Sequence, residues 1–415
     1  MTVEIAHFTS ELSGGAGVAA GRLHAGLLRE GLGSRLYYCK GEPTGAGCVR
    51  LFAGRPALLR AVADLVWGLR NPRKVPGVFF TSPRWYQSPR LQDLPALPAL
   101  VNLHWISQWI DHPGFFASLP KGLPIVWSLH DLNPFTGGCH LAGRCERFVS
   151  HCGDCPQLQD PAPRDAAYRF FRIKDRCYAG LNLHIVGNSE WTTAQARRSA
   201  LMRHARSFQT ISLGLDTEGH RPVEKALARK AFGIDPASFV VGFACGSFSN
   251  PNKGGRLLVE ALQGLATEAD ITLLAFGADR LPDGGGRYRM KALGSLRSPQ
   301  MQSVFYSACD VFAVPSFIES FGLTALEASA CATPVVAFRT GGLVDVVADG
   351  TTGLLESEVG SVPALLAGLR WMWQHPAERH AMGRAARQRV EERFTSMRMA
   401  RRYAELYRSL VSGER

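Results

Sequence analysis

Apolar and polar positions along the chain fall into alternating blocks of two kinds. Short runs that are apolar almost throughout predict buried strands, and they stand at Val3–Phe8, Ser34–Cys39, Val101–Ile106, Pro124–His130 and Leu183–Asn188. Longer stretches with apolar positions three and four apart lie between them. The first is Ala16–Glu30, whose Val18, Leu23, Leu27 and Leu28 share one side and which Gly31 and Gly33 punctuate. Around Ile211-Ser212-Leu213-Gly214-Leu215-Asp216 a short predicted strand runs into polar residues and Pro222, and the alternation then restarts. Strands are expected at Phe239–Ala244, Ile271–Phe276, Asp310–Pro315 and Val335–Phe338, a helix at Gly255–Gly264, and long helices close the chain. Strand and helix in regular alternation mean an α/β protein with parallel sheets. Its 415 residues suffice for two domains with separate cores. The restart places them at 1–213 and 214–395, with a terminal helix over 396–415. Gly41–Gly47 and the Pro-rich Pro83–Pro98 are expected loops.

Composition narrows the class. Hydrophobic residues are 46% and charged residues 20%, which is globular. No apolar run reaches the roughly 18 residues that would span a bilayer. Glu4 and His7 interrupt the first apolar run, so it reads as a strand and not as a signal peptide, and a cytoplasmic location is expected. Lys and Arg number 47 against 35 Asp and Glu, a net charge of +12. The arginines concentrate between Arg164 and Arg206 and from Arg384 to Arg415, on stretches that read as helices with solvated faces. Peripheral attachment to an anionic membrane surface is the second reading of that charge. No nucleic-acid motif accompanies it.

Candidate chemistry gathers in the second half. The segment Pro315-Ser316-Phe317-Ile318-Glu319-Ser320-Phe321-Gly322-Leu323-Thr324-Ala325-Leu326-Glu327 is a strand end, a loop with one carboxylate, and a helix start with a second carboxylate just over one turn inside. Free amides at Gly322, Leu323 and Thr324 suit phosphate oxygens, and two carboxylates suit hydroxyls on either side of a diphosphate. The Gly246–Gly254 loop adds Lys253. Ser13-Gly14-Gly15-Ala16-Gly17 forms a glycine loop after the first strand, and His104 and His130-Asp131 stand at strand ends, where open α/β sheets place ligands. Cys139, Cys145, Cys152 and Cys155 cluster in a Gly-rich stretch; structural zinc, disulfides and inert small residues are all open readings.

With the strand Thr333-Pro334-Val335-Val336 and the turn Gly341-Gly342, this pattern resembles glycosyltransferase family 4, retaining enzymes of the GT-B fold. The resemblance covers nearly the whole chain. It implies two Rossmann-like domains facing an interdomain cleft, an N-terminal acceptor-side domain with a Cys-rich insertion at 139–155, and a C-terminal donor domain. It implies that Glu319 engages the transferred sugar, Glu327 the ribose, Lys253 the donor phosphates and His130 the active site, with Gly15 in the loop near the phosphates. Ser247 stands where that family usually has a phosphate-binding Arg, so Arg256 or another cation would have to substitute. The segment His130-Asp131 to Pro134-Phe135-Thr136-Gly137-Gly138-Cys139-His140 resembles the subgroup of bacterial exopolysaccharide and colanic-acid-type transferases. The expected reaction is transfer from a UDP- or GDP-sugar to a hydroxyl of a small-molecule or lipid-linked glycan acceptor, without a catalytic metal. A sugar-nucleotide epimerase or hydrolase of the same fold and a catalytically silent sugar-binding protein are the alternatives. A dehydrogenase is disfavoured by the lack of Gly-any-Gly-any-any-Gly spacing at Gly14–Gly17.

Overall fold

The computed structural model describes residues 4–43, 45–51, 72–85, 88–248, 250–277 and 287–413. Val3, Thr44, Tyr86, Gln87, Ser249 and the last two residues of the expected terminal helix lie outside the described residues. The chain forms two compact units, one of residues up to Gly214 together with those from Ser396 onward, the other Leu215–Thr395.

The first unit is built on a seven-stranded sheet in the order β3-β2-β1-β4-β5-β6-β7. Its strands are β1 (Glu4–Glu11), β2 (Gly33–Lys40), β3 (Cys48–Arg50), β4 (Leu100–Leu103), β5 (Pro124–Leu129), β6 (Asn182–Gly187) and β7 (Ser207–Thr210), and every pairing is parallel. Ile125, Val126 and Trp127 of β5 are all buried. Helices cover both faces of such a sheet, so a central strand reads as a continuous apolar run. The terminal helix Ser396–Ser412 packs in this unit against Gly14–Arg29, where a Cβ at Gly26 would come within 2.6 Å of Ala400 Cβ. Its Tyr407 hydroxyl accepts from Asn102 Nδ2 at 2.5 Å, and its Tyr403 hydroxyl lies 2.8 Å from Ser128 Oγ. Those bonds satisfy polar side chains that two central strands bury.

The second unit carries a six-stranded parallel sheet in the order β10-β9-β8-β11-β12-β13. The strands are β8 (Phe239–Ala244), β9 (Ile271–Phe276), β10 (Arg289–Ala292), β11 (Val311–Val314), β12 (Val335–Phe338) and β13 (Gly353–Glu356). In both sheets the strand order reverses once, between β1 and β4 and between β8 and β11. The crevice at the carboxyl ends of such a pair is where open α/β sheets receive ligands.

Several sequence expectations are corrected. Four short strands, β3, β7, β10 and β13, lie at the sheet edges; the first three have half-exposed, mixed side chains, and β13 alternates buried with half-buried positions over only four residues. The expected strand at Ile211–Asp216 is absent; pairing ends at Gly187 with Thr210, just upstream. Ile211, Leu213 and Leu215 are nonetheless buried, so the alternation there marks a packed connection. The strand expected to reach Ile106 stops at Leu103, which leaves His104 and Trp105 on the loop beyond its carboxyl end.

Candidate functional site

In the second unit, the loop leaving β8 and the loop leaving β11 are sewn together at the reversal point. Asn252 does the joining: its Nδ2 donates to the Ile318 carbonyl at 2.9 Å, its Oδ1 accepts from the Ile318 amide at 3.1 Å, and its own carbonyl accepts from the Phe317 amide at 2.8 Å. Gly254 adopts φ +64°, and a Cβ there would sit 1.9 Å from the Pro315 carbonyl oxygen, so only glycine lets the loops approach this closely.

The junction brings Lys253 to Glu319. Lys253 Nζ lies 2.5 Å from Glu319 Oε1, and Ser316 Oγ donates to the same oxygen at 3.0 Å. The Glu319 backbone is fixed from the other side, where the Gly342 amide donates to its carbonyl at 2.8 Å. Gly322, at φ +98°, then starts the helix Leu323–Ala330, and no side chain caps that helix. Its opening amides, at Leu323 and Thr324, lead the dipole's positive end. Glu327 is buried one turn on, with Oε2 accepting from the Tyr306 hydroxyl at 3.0 Å. Tyr306 is itself fully buried and is pinned by Thr333 Oγ1, which donates to its carbonyl at 2.7 Å. Ser247 and Arg256 are exposed on the β8 loop and on the helix that follows it. A lysine, a carboxylate on the loop, a second carboxylate on the helix and an uncapped helix start are therefore clustered in one unit. Such a set can bind a diphosphate and hold hydroxyl groups beside it. Sequence reasoning missed Asn252, Ser316 and Tyr306. Asn252 lies inside the glycine loop already singled out; Tyr306 gave no local signal.

The other expected residues lie in the first unit. Gly15 is exposed in the first turn of Gly14–Arg29, whose N-cap Ser13 makes no side-chain capping bond. His130 follows β5, and its Nε2 lies 3.0 Å from His104 Nδ1. Burial lowers the His130 pKa to about 4, against the pull of the neighbouring Asp131. Burial also acts against ionisation of Asp131, but the charge and hydrogen bond of His140, the Asn133 amide and the Trp105 indole together hold its carboxyl below the usual range. Beneath this loop the fully buried Lys174 donates to the carbonyls of Asn133, at 2.5 Å, and Thr136, at 3.1 Å.

Cys139, Cys145, Cys152 and Cys155 all line one small pocket with Phe80 and Phe148, and none of the four is in a disulfide. Among the described residues, no group of three or more His, Cys, Asp or Glu is placed to hold a metal ion. Burial pushes the Cys139 and Cys152 thiols up to about 12. Ala142 and Ala167 complete the apolar part of that lining, and Arg147 adds a charge to it. Among the described residues no helix is long and apolar enough to cross a membrane.

Two parallel α/β units of this kind are those of the GT-B glycosyltransferases, and the solved structures this chain is similar to have that fold. Sucrose-phosphate synthase from Thermosynechococcus elongatus aligns at TM-score 0.66 and 20% identity, covering 99% of this chain and 100% of that one. Anabaena Alr3699/HepE in complex with UDP and glucose aligns at 0.65 and 18%, covering 98% and 100%. Within the fold, residues 244–389, which include Lys253, Glu319 and Glu327, match the family described as Glycosyl transferases group 1, so the chain carries a domain of that kind. Over 323 residues it is 33% identical to a D-inositol 3-phosphate glycosyltransferase of Rhodococcus jostii, a stretch that covers 67% of this chain and 64% of the relative. A D-inositol 3-phosphate glycosyltransferase of Rhodococcus erythropolis is 34% identical over 280 residues, covering 63% and 57%. The chain thus spans 64% and 57% of the length of these two curated relatives.

Proposed function

We propose that this chain is a retaining glycosyltransferase that moves a sugar from a UDP- or GDP-sugar to an acceptor hydroxyl. The observation that carries the reading is the Lys253–Glu319 contact beside the uncapped start of Leu323–Ala330. Departure of a nucleoside diphosphate builds negative charge on its β-phosphate. Lys253 and the amides of Gly322, Leu323 and Thr324 are the groups proposed to stabilise that charge. As the phosphate arrives, Lys253 exchanges Glu319 for it, and the released carboxylate accepts hydrogen bonds from hydroxyls of the transferred sugar. Glu327, with one oxygen held by Tyr306, presents its carboxylate to the ribose. In the first unit the residues proposed to act are Gly15 and His130.

The similarity to D-inositol 3-phosphate glycosyltransferases supports a hydroxyl-bearing phosphorylated acceptor, and the chain's excess of 12 positive charges favours anionic partners of that kind. A lipid-linked glycan at an anionic membrane surface would satisfy the same preference. Assays with UDP- and GDP-sugars, run with an acceptor panel and with donor alone, test the proposal. Acceptor-dependent glycoside formation with the donor's anomeric configuration is expected. Release of sugar or an epimerised nucleotide sugar from donor alone would mean a hydrolase or epimerase, and binding without any turnover would mean a silent sugar-binding protein.

A further inference from the structure

A recess in the first unit involves neither His130 nor the glycine loop. Its lining includes Lys74, Phe80, Thr81, Ser82, Trp85 and Gln108, and its empty volume is about 420 Å³, open mouth included. Backbone pairing fixes the segment that carries most of them. Lys74 bridges to Leu158, Phe80 bridges to Cys139, and the Thr81 amide donates to the Gly138 carbonyl at 2.9 Å. Thr81 Oγ1 accepts from Asn133 Nδ2 at 3.0 Å and lies 2.9 Å from His140 Nε2, and His140 Nδ1 lies 2.5 Å from Asp131 Oδ2. The wall of the recess is thus built onto the loop that follows β5, where an open α/β sheet receives ligands.

Gln108 comes from the turn after β4 and holds a backbone conformation that glycine would adopt more easily. Its φ is +59°, in the left-handed region, where a side chain of this length is uncommon. Ile106, Ser107, Trp109 and Ile110 around it are buried, and the Ile110 amide donates to the Ile106 carbonyl at 3.1 Å. The half-buried Gln108 is what this turn gives to the recess, and among the described residues its carboxamide has no hydrogen-bond partner. Strained backbone of this kind clusters at binding sites, where the surroundings hold it in place.

The lining is chemically mixed. Lys74 is its one charged side chain among the described residues. It is exposed, its Nζ lies 5.7 Å from the centre of the Phe79 ring, and no described carboxylate pairs with it. Ser82 Oγ accepts from the Arg84 amide at 3.0 Å, which leaves the hydroxyl proton to donate. Trp85 adds an aromatic surface. An ammonium attracts an anion, a carboxamide and a hydroxyl exchange bonds with hydroxyls, and an indole packs on the carbon face of a sugar ring.

We propose that this recess binds an anionic sugar, its phosphate or carboxylate at Lys74, its hydroxyls at Gln108 and Ser82, and its ring beside Trp85. That such a sugar is the acceptor, or the end of one, rests on the proposed glycosyl transfer; its binding does not.

The test is a set of ligand-observed NMR titrations of the full chain, without any nucleotide sugar. The probes are the 6-phosphates of glucose, galactose and mannose, the matching hexuronates, the free hexoses and inorganic phosphate. At least one anionic sugar is expected to bind more tightly than both its free hexose and inorganic phosphate, and the phosphate and uronate arms tell which charge the recess prefers. Lys74→Ala should weaken that binding about 10-fold, the loss of one charge-assisted contact. Gln108→Gly should weaken it as well while folding with wild-type stability or better, because glycine is at ease at this φ and lacks the amide. An anionic sugar that binds no better than hexose or phosphate, or binding that either substitution leaves unchanged in a folded variant, overturns the proposal. A chain that binds these sugars and transfers none would sink the proposed function alone; one that transfers sugars and binds none of the probes would sink the recess alone.

Discussion

Gly341 is the residue that gives Glu319 its place. At φ +54° its backbone is in the left-handed region, and a Cβ there would lie 1.8 Å from the Glu319 carbonyl oxygen. The glycine turn and the carboxylate loop are thus mutually exclusive with any side chain at 341, although 22 residues separate them in sequence.

Gly341→Ala is therefore expected to displace the Glu319 loop. Backbone strain of this kind costs roughly 1–3 kcal/mol, and the displaced carboxylate should lower turnover by more than that loss of stability explains. Denaturant melts and initial rates on the same preparation check this. Full activity in a stable variant would show that Glu319 does not need this backbone position.

Tyr306→Phe removes one hydroxyl and leaves the ring in its buried place. Glu327 loses one bond that orients its carboxylate, at a cost of about 0.5–1.5 kcal/mol. The expected result is a several-fold higher KM for the nucleotide sugar with kcat little changed, because Glu327 is proposed to hold the ribose and not the reacting carbon. A fall in kcat at constant KM would assign Glu327 to the chemical step.

The buried histidines set an acid limit on stability. Burial lowers the pKa of His7, His104, His112 and His130 in the folded chain, that of His130 to about 4. Below about pH 6.5 the unfolded chain takes up protons that these rings refuse, so stability is complete above that pH and falls as the pH drops toward 4. Urea titrations between pH 7.5 and 5 read this directly. Stability that is level or rising toward pH 5 would mean that these rings accept protons in the folded state.

The sequence revealed what is continuous along the chain. Buried strands such as β8, β9, β11 and β12 are apolar but for Thr272 in β9 and could be read from their runs. The edge strand β10, Arg-Met-Lys-Ala, could not, because an edge needs one partner and little burial. The same distinction holds at the candidate site. Lys253, Glu319 and Glu327 stood out because glycines and a strand end frame them. Asn252 acts on the backbone of Ile318, 66 residues away, and Tyr306 reaches Glu327 from the preceding helix, 21 residues earlier. Contacts across such separations exist only after folding.

The central claim is that Lys253, drawn to Glu319 in this structure, binds the diphosphate of an activated sugar. Calorimetric titration of UDP and GDP into the wild type and into Lys253→Ala tests it most directly. One nucleoside diphosphate should bind the wild type, and Lys253→Ala should weaken that binding by about 10–100-fold, the loss of one charge-assisted contact of about 1.5–3 kcal/mol. Equal affinity in the two proteins, or no binding of either nucleotide by a folded wild type, would contradict it.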